Sequence, residues 1–240
     1  MKIAKFYMTT MAVFILALLL ADVPAMAQRI KGNGNIKAQE RKVSGFNGLD
    51  VSGGFEVHVV KGNNEGVRIE ADENLLSNIK TEVRNGVLHI YNDESISTKN
   101  TMKAFVTLKE LNSLDISGGV KVIGESTFKP ASFKMDLSGG SNIKLDLITK
   151  KLTADMSGAS KVALKGSADE VYLNMSGASD VDAEELHAKD VKVEASGASK
   201  LRVFAEDSLA IDASGASHIK YKGSPSITSD TSGGTKISKI

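Results

Sequence analysis

The chain has 240 residues, with 30 Lys and Arg against 29 Asp and Glu, a formal net charge of +1, and no cysteine. That balance excludes the strongly basic face that a nucleic-acid partner needs. The lack of cysteine excludes disulfide staples, so stability has to come from the core alone.

The chain opens Met1-Lys2-Ile3-Ala4-Lys5, continues with an apolar run from Met11 to Leu20, and reaches Ala25-Met26-Ala27. A positive start, a short apolar core and an Ala-x-Ala site predict a secretory signal cleaved after Ala27. The run falls short of the ~20 apolar residues of a membrane-spanning helix, and no later segment is long and apolar enough to span. Cleavage removes Lys2, Lys5 and Asp22, leaving 28 basic (30 − 2) and 28 acidic (29 − 1) residues. With no cysteine, there is none to carry a lipid anchor. Export places the mature chain in the periplasm, on the outer-membrane surface or outside the cell.

Residues 28 to 40 are polar and are expected to be a mobile lead-in. Residues 41 to 110 predict an irregular N-terminal β part that also caps the fold. Its strands are Phe55 to Val60, Val67 to Ala71, Ile79 to Val83, Val87 to Tyr91 and Lys103 to Leu108. Asn85-Gly86 between two of them is a hairpin signal, and Gly62 to Gly66 is a turn. Longer loops lie near residues 72 to 78 and 92 to 101. His58 and His89 fall on alternating tracts and are expected to face solvent, and His187 falls on a corner. No two histidines show metal-ligand spacing.

Residues 111 to 240 repeat. Ser-Gly-Gly or Ser-Gly-Ala occurs at Ser52, Ser117, Ser138, Ser157, Ser176, Ser196, Ser214 and Ser232, and from Ser117 the steps are 21, 19, 19, 20, 18 and 18 residues. Self-similarity at this period marks a solenoid. Each tripeptide follows a strictly alternating tract, such as Phe133-Lys134-Met135-Asp136-Leu137, and precedes another, such as Ile143-Lys144-Leu145. Such alternation marks strands with one buried face. The leucine-rich-repeat signature is absent, and helix propensity is poor. The fold class is therefore all-β: a right-handed parallel β-helix with coils of 18 to 21 residues. Gly118, Gly139, Gly158, Gly177, Gly197, Gly215 and Gly233 are the predicted turn glycines, bending the chain in a conformation that suits glycine. The repeats run to Ile240 without a recognisable cap, which leaves a contact surface or an exposed edge.

Stacking predicts columns. An inward column, Leu137, Met156, Met175, Ala195, Ala213 and Thr231, shrinks toward the C-terminus and suggests a narrowing helix. An outward acidic column reads Asp136, Asp155, Asn174, Glu194, Asp212 and Asp230. Beyond the turn, a polar strip reads Asn142, Lys161, Asp180, Lys200, His218 and Lys236. The Ser138-to-Ser232 column is expected to form a hydroxyl ladder.

Two N-terminal stretches carry a resemblance. One is Phe46-Asn47-Gly48-Leu49-Asp50-Val51-Ser52-Gly53-Gly54-Phe55-Glu56-Val57-His58-Val59. The other is Gly86-Val87-Leu88-His89-Ile90 followed by Leu111-Asn112-Ser113-Leu114-Asp115-Ile116-Ser117-Gly118-Gly119. Together with the Ser-Gly-Ala-Ser coils, they resemble the bacterial auto-transporter adhesin, head GIN domain family over about residues 41 to 240. The resemblance implies an exported β-helical domain, common in Bacteroidetes-like Gram-negative bacteria, with an adhesin-like role and no catalytic residues to carry over. Nothing after the repeats reads as an auto-transporter barrel.

No catalytic, cofactor-binding or metal residues are assigned. Carboxylates in a column suit calcium, but Asn174 interrupts the row and the calcium nonapeptide is absent, so the column reads as a solvated edge. The acidic pairs Asp169-Glu170, Glu184-Glu185 and Glu206-Asp207 fall on corners and read as solvated turns. The expected function is a non-enzymatic cell-envelope or surface interaction module, with a surface polysaccharide or a protein as partner. The alternative is a carbohydrate-active β-helix enzyme, which needs a departure from the repeat that gathers an acid and a base. The candidate ligand strip is the polar one, suited to an anionic glycan and weighed against an ordinary surface of mixed charge.

Overall fold

The computed structural model describes residues 29–240; the predicted leader and its expected cleavage site at Ala27 lie outside them. The repeat tracts form β10 (Ser113–Gly118), β11 (Lys121–Phe128), β12 (Ser132–Gly139), β13 (Asn142–Gly158), β14 (Lys161–Gly177), β15 (Asp180–Gly197), β16 (Lys200–Ala213), β17 (His218–Lys222), β18 (Ser226–Thr231) and β19 (Lys236–Lys239). Successive coils pair in parallel. The tripeptide serines fall in register, Ser117 beside Ser138, Ser157, Ser176 and Ser196 in turn. This is a β-solenoid, with a coil rise of ~4.8 Å, the spacing of hydrogen-bonded strands.

Alternation explains the core. Leu137, Met156, Met175, Ala195 and Ala213 point inward and are buried, as are Phe128 and Phe133. The column does not close at Thr231, because the whole of β18 is exposed. The 20-residue step from Ser176 to Ser196 has a local cause. Register shifts between β14 and β15 and between β15 and β16 both fall at Glu184, which is unpaired in both ladders, while Glu185 still pairs with Lys165.

The N-terminal part is threaded differently from a simple first coil. Strands β3 (Gly48–Gly53) and β4 (Phe55–Lys61) stack on β10 and β11. Strands β7 (Val87–Asn92) and β9 (Met102–Leu108) then lie on their other side, also parallel. Beyond them, β6 (Ile79–Arg84) runs antiparallel to β7, β5 (Gly66–Asp72) antiparallel to β9, and β2 (Ile36–Arg41) antiparallel to β5. These reversed strands cap the parallel edge. The β6–β7 hairpin turns on Asn85 and Gly86, with φ of +51° and +77°, the two positive values of a type I′ turn.

The expected mobile lead-in is instead part of the cap. Besides β2, strand β1 (Ile30–Lys31) pairs with β8 (Ile96–Ser97). Buried Asp72 clasps the two, accepting from the Gly34 amide at 2.7 Å, from Asn100 Nδ2 at 2.9 Å and from the Thr98 hydroxyl. The Thr98 bond holds the Asp72 carboxyl below the ordinary range, against the opposing effect of burial.

Candidate functional site

The turn builds the surface. All seven predicted turn glycines have positive φ, from +74° at Gly233 to +113° at Gly177. Each also lies against the equivalent glycine of the preceding coil: a Cβ on Gly177 would sit 2.5 Å from the Gly158 carbonyl oxygen. That oxygen is already engaged, accepting from the Ala178 amide at 2.9 Å. Three residues after the tripeptide serine comes a second serine column that sequence reasoning passed over: Ser141, Ser160, Ser179, Ser199 and Ser217, all buried. Ser141 Oγ donates to the Gly118 carbonyl at 3.1 Å, and Ser160 and Ser199 make the equivalent bonds. A signal was available: counting back by two from inward Ile143 turns Ser141 inward.

The tripeptide serines do not bond to one another among the described residues. Ser138 and Ser157 donate to the Ile116 and Leu137 carbonyls, because a parallel ladder sets each hydroxyl over the neighbouring coil's backbone rather than over its hydroxyl.

On each side of this turn stands an outward column. The acidic one is longer than its repeat members, with Asp50 and Asp115 preceding Asp136 in strict register. It continues through Asp155, Asn174, Glu194, Asp212 and Asp230. A shallow groove runs between Asp115, Asp136 and Asp155 on one wall and Ser138, Ser157 and Ser176 on the other. Burial, and then the neighbouring Asp50 and Asp136 carboxylates, push the Asp115 carboxyl up. Among the described residues, no cluster of three or more His, Cys, Asp or Glu side chains is arranged to hold a metal.

The structure brings the polar strip together as one ladder, with Asn142, Lys161, Asp180, Lys200, His218 and Lys236 as successive register partners. Lys121 and Glu56 extend it toward the cap. Lys161, Lys200, His218 and Lys236 are exposed. The adjacent Glu184 and Glu185 are taken up by cations: Glu184 meets Arg202 Nε at 3.2 Å and Lys222 Nζ at 2.7 Å, and Glu185 meets Lys165 at 2.9 Å.

His58 and His89 do not simply face solvent. His58 stacks on Phe105, with centroids 5.0 Å apart. Its Nδ1 lies 2.6 Å from Glu125 and its Nε2 2.9 Å from Glu56. A neutral imidazole offers one donor, so two carboxylate partners hold His58 as imidazolium. Burial pulls its pKa down, but the bonds to Glu56 and Glu125 carry it above the ordinary value. Glu56, bonded by Lys121 and then by His58, is lowered to about 2. His89 bonds Asp50 at 2.8 Å. His187 is exposed and packs on Phe204.

The sequence model of the family described as "Putative auto-transporter adhesin, head GIN domain" matches residues 45–225. The chain belongs to this family. Several solved structures share this fold. A "putative adhesin" from Bacteroides fragilis is 24% identical with a TM-score of 0.83, over 88% of this chain and 100% of its own. A second "putative adhesin", from Parabacteroides merdae, is 19% identical with a TM-score of 0.72, over 89% and 100%. A "putative lipid binding protein" from Parabacteroides distasonis is 22% identical with a TM-score of 0.67, over 89% and 100%. Among curated proteins, none matches. Within this head GIN domain, the outward columns are where coils can differ without disturbing the inward alternation that stacks them.

Proposed function

We propose that the protein is an exported, non-enzymatic interaction module that binds a repetitive anionic polymer of a cell surface. The observation that carries this is the register of Lys161, Lys200, His218 and Lys236 on one exposed ladder, whose spacing is set by the coils. A polymer with its own repeat can meet several of these groups at once. Each contact is weak, affinity comes from their number, and salt reduces it. The leader through Ala27 supports export. The absence of chemistry is supported by near-uniform turns and by the ion pairs that occupy Glu184 and Glu185, beside one of the bulges of the repeat.

The test is an array of surface glycans and matrix proteins probed with the purified protein, with and without calcium. Lys161→Glu with Lys200→Glu should abolish binding to any anionic hit while the fold is retained; a ligand held unchanged by the double variant would move the site elsewhere. No turnover of pectin or alginate is expected. Saturable cleavage lost on substitution of Glu184 and Glu185 would establish the enzyme reading instead.

A further inference from the structure

The two columns flanking the turn are complementary level by level. At every level they stand six residues apart: Asp115 with Lys121, Asp155 with Lys161, Glu194 with Lys200, Asp230 with Lys236. Asp136 stands with Asn142 and Asp212 with His218. One level from Asp115 onward has an acid in the second column, Asp180, and it is the one level with an amide in the first, Asn174. No level from Asp115 onward therefore carries like charges in both columns.

Among the described residues, this complement is not used within the chain: no ion pair joins the two columns across the turn. Asp136 pairs with Lys134, Glu194 with Lys192, and Lys121 with Glu56. Asp115, Asp155, Asp212, Asp230, Lys161, Lys200 and Lys236 make no ion pair among the described residues. Stacked carboxylates ~4.8 Å apart repel one another; Asp115 is pushed up first by burial and then by the Asp50 and Asp136 carboxylates beside it. A cationic ladder of the same pitch would relieve that repulsion, and this chain itself carries one.

We infer that a second copy of this protein docks side by side, the acidic column of one against the basic strip of the other, with the Asn174 and Asp180 levels matched. The register is selected by charge: a shift of one coil in either direction sets Asp155 or Glu194 against Asp180, a like-charge contact that disfavours the slip. The contact is heterologous, so each copy keeps one free column on either side of the pair and assembly continues with concentration. This goes beyond the polymer reading, since the anionic partner is the chain itself.

The test is sedimentation velocity of the purified protein across a concentration series at low and high salt. Two variants accompany it: Asp115→Lys with Asp155→Lys, and Lys161→Glu with Lys200→Glu, each checked for fold by circular dichroism. The parent should assemble at low salt and dissociate near 1 M salt, where the Debye length falls to ~3 Å. Each variant alone should self-associate at least about tenfold more weakly. Mixed, the two should form a 1:1 complex that grows no further, because each supplies the intact column the other lacks. A parent that stays monomeric at low salt, assembly unmoved by either reversal, or a mixture that fails to pair would each overturn the inference.

Discussion

Gly177→Ala tests the turn most directly. Gly177 has φ of +113° and lies in mid-stack, and an added Cβ would meet the Gly158 carbonyl oxygen at 2.5 Å and its nitrogen at 3.0 Å. The oxygen distance is nearly an ångström short of the 3.4 Å at which ordinary contact begins. The atoms in the way are backbone, held by the Ala178 amide, so they cannot rotate aside. Strain at such a φ costs about 1–3 kcal/mol, and the clash adds to it, so a loss of about 3 kcal/mol is expected. That is a large share of the ~5–15 kcal/mol that holds a typical domain together. Gly140→Ala is the internal control: φ there is not positive, nothing lies within 4 Å of its Cβ, and Ala159, Ala178, Ala198 and Ala216 occupy the same place in later coils. It should stay within about 0.5 kcal/mol of the parent. Urea unfolding followed by far-UV circular dichroism measures both. A Gly177→Ala midpoint coinciding with the parent's, at equal slope, would refute the reasoning.

The buried serines separate by partner. Ser141→Ala loses a bond to the Gly118 carbonyl and should cost about 1 kcal/mol, whereas Ser217, fully buried with no partner for its Oγ among the described residues, should be replaced by alanine at no cost or with a gain; the same urea assay reads both, and equal losses would show that the hydroxyl bond is not what distinguishes them. The His58 cluster sets a pH window. Glu56 has a lowered pKa, so its contribution is present above 4.5 and is lost as pH falls through about 2. His58 has a raised pKa, so its contribution is complete below 6.5 and is lost as pH rises through the folded value. The stability difference between parent and His58→Gln should therefore peak between pH 4.5 and 6.5 and shrink on either side; a difference flat in pH would contradict the imidazolium assignment.

What could be read from the sequence was whatever repeats or alternates. The tripeptide period sets the register because equivalent residues in neighbouring coils are hydrogen-bonded partners, so an offset of 19 residues in sequence becomes one ladder step. The N-terminal part has no such period. That β7 and β9 lie outside β3 and β4 depends on which edge a later strand joins, and no local pattern encodes it. Strand β2 is exposed along almost its whole length, so it lacks the alternation that would have distinguished it from a mobile tail. The environment of His58 depends on Glu125, 67 residues away. The polar strip was legible as a column, but which charges of the two columns stay unpaired was not, because that depends on the side chains the fold sets beside them, such as Glu56 beside Lys121 and Lys134 beside Asp136.

Inward alternation and turn glycines are enough to stack the coils, and outward side chains need only be polar. Solubility alone would be served by any mixture of charges, and mixing signs along a column would avoid repulsion between neighbours ~4.8 Å apart. The strip beyond the turn mixes signs in this way, with Asp180 between Lys161 and Lys200. The acidic column does not: seven of its eight levels from Asp50 to Asp230 are carboxylates, four of them consecutive aspartates. That order carries repulsion between neighbours: at Asp115 the Asp50 and Asp136 carboxylates add to the effect of burial in pushing the carboxyl up. His89, Lys134 and Lys192 offset it at Asp50, Asp136 and Glu194, but Asp115, Asp155, Asp212 and Asp230 make no ion pair among the described residues, and these are the levels a second copy's cationic strip would serve.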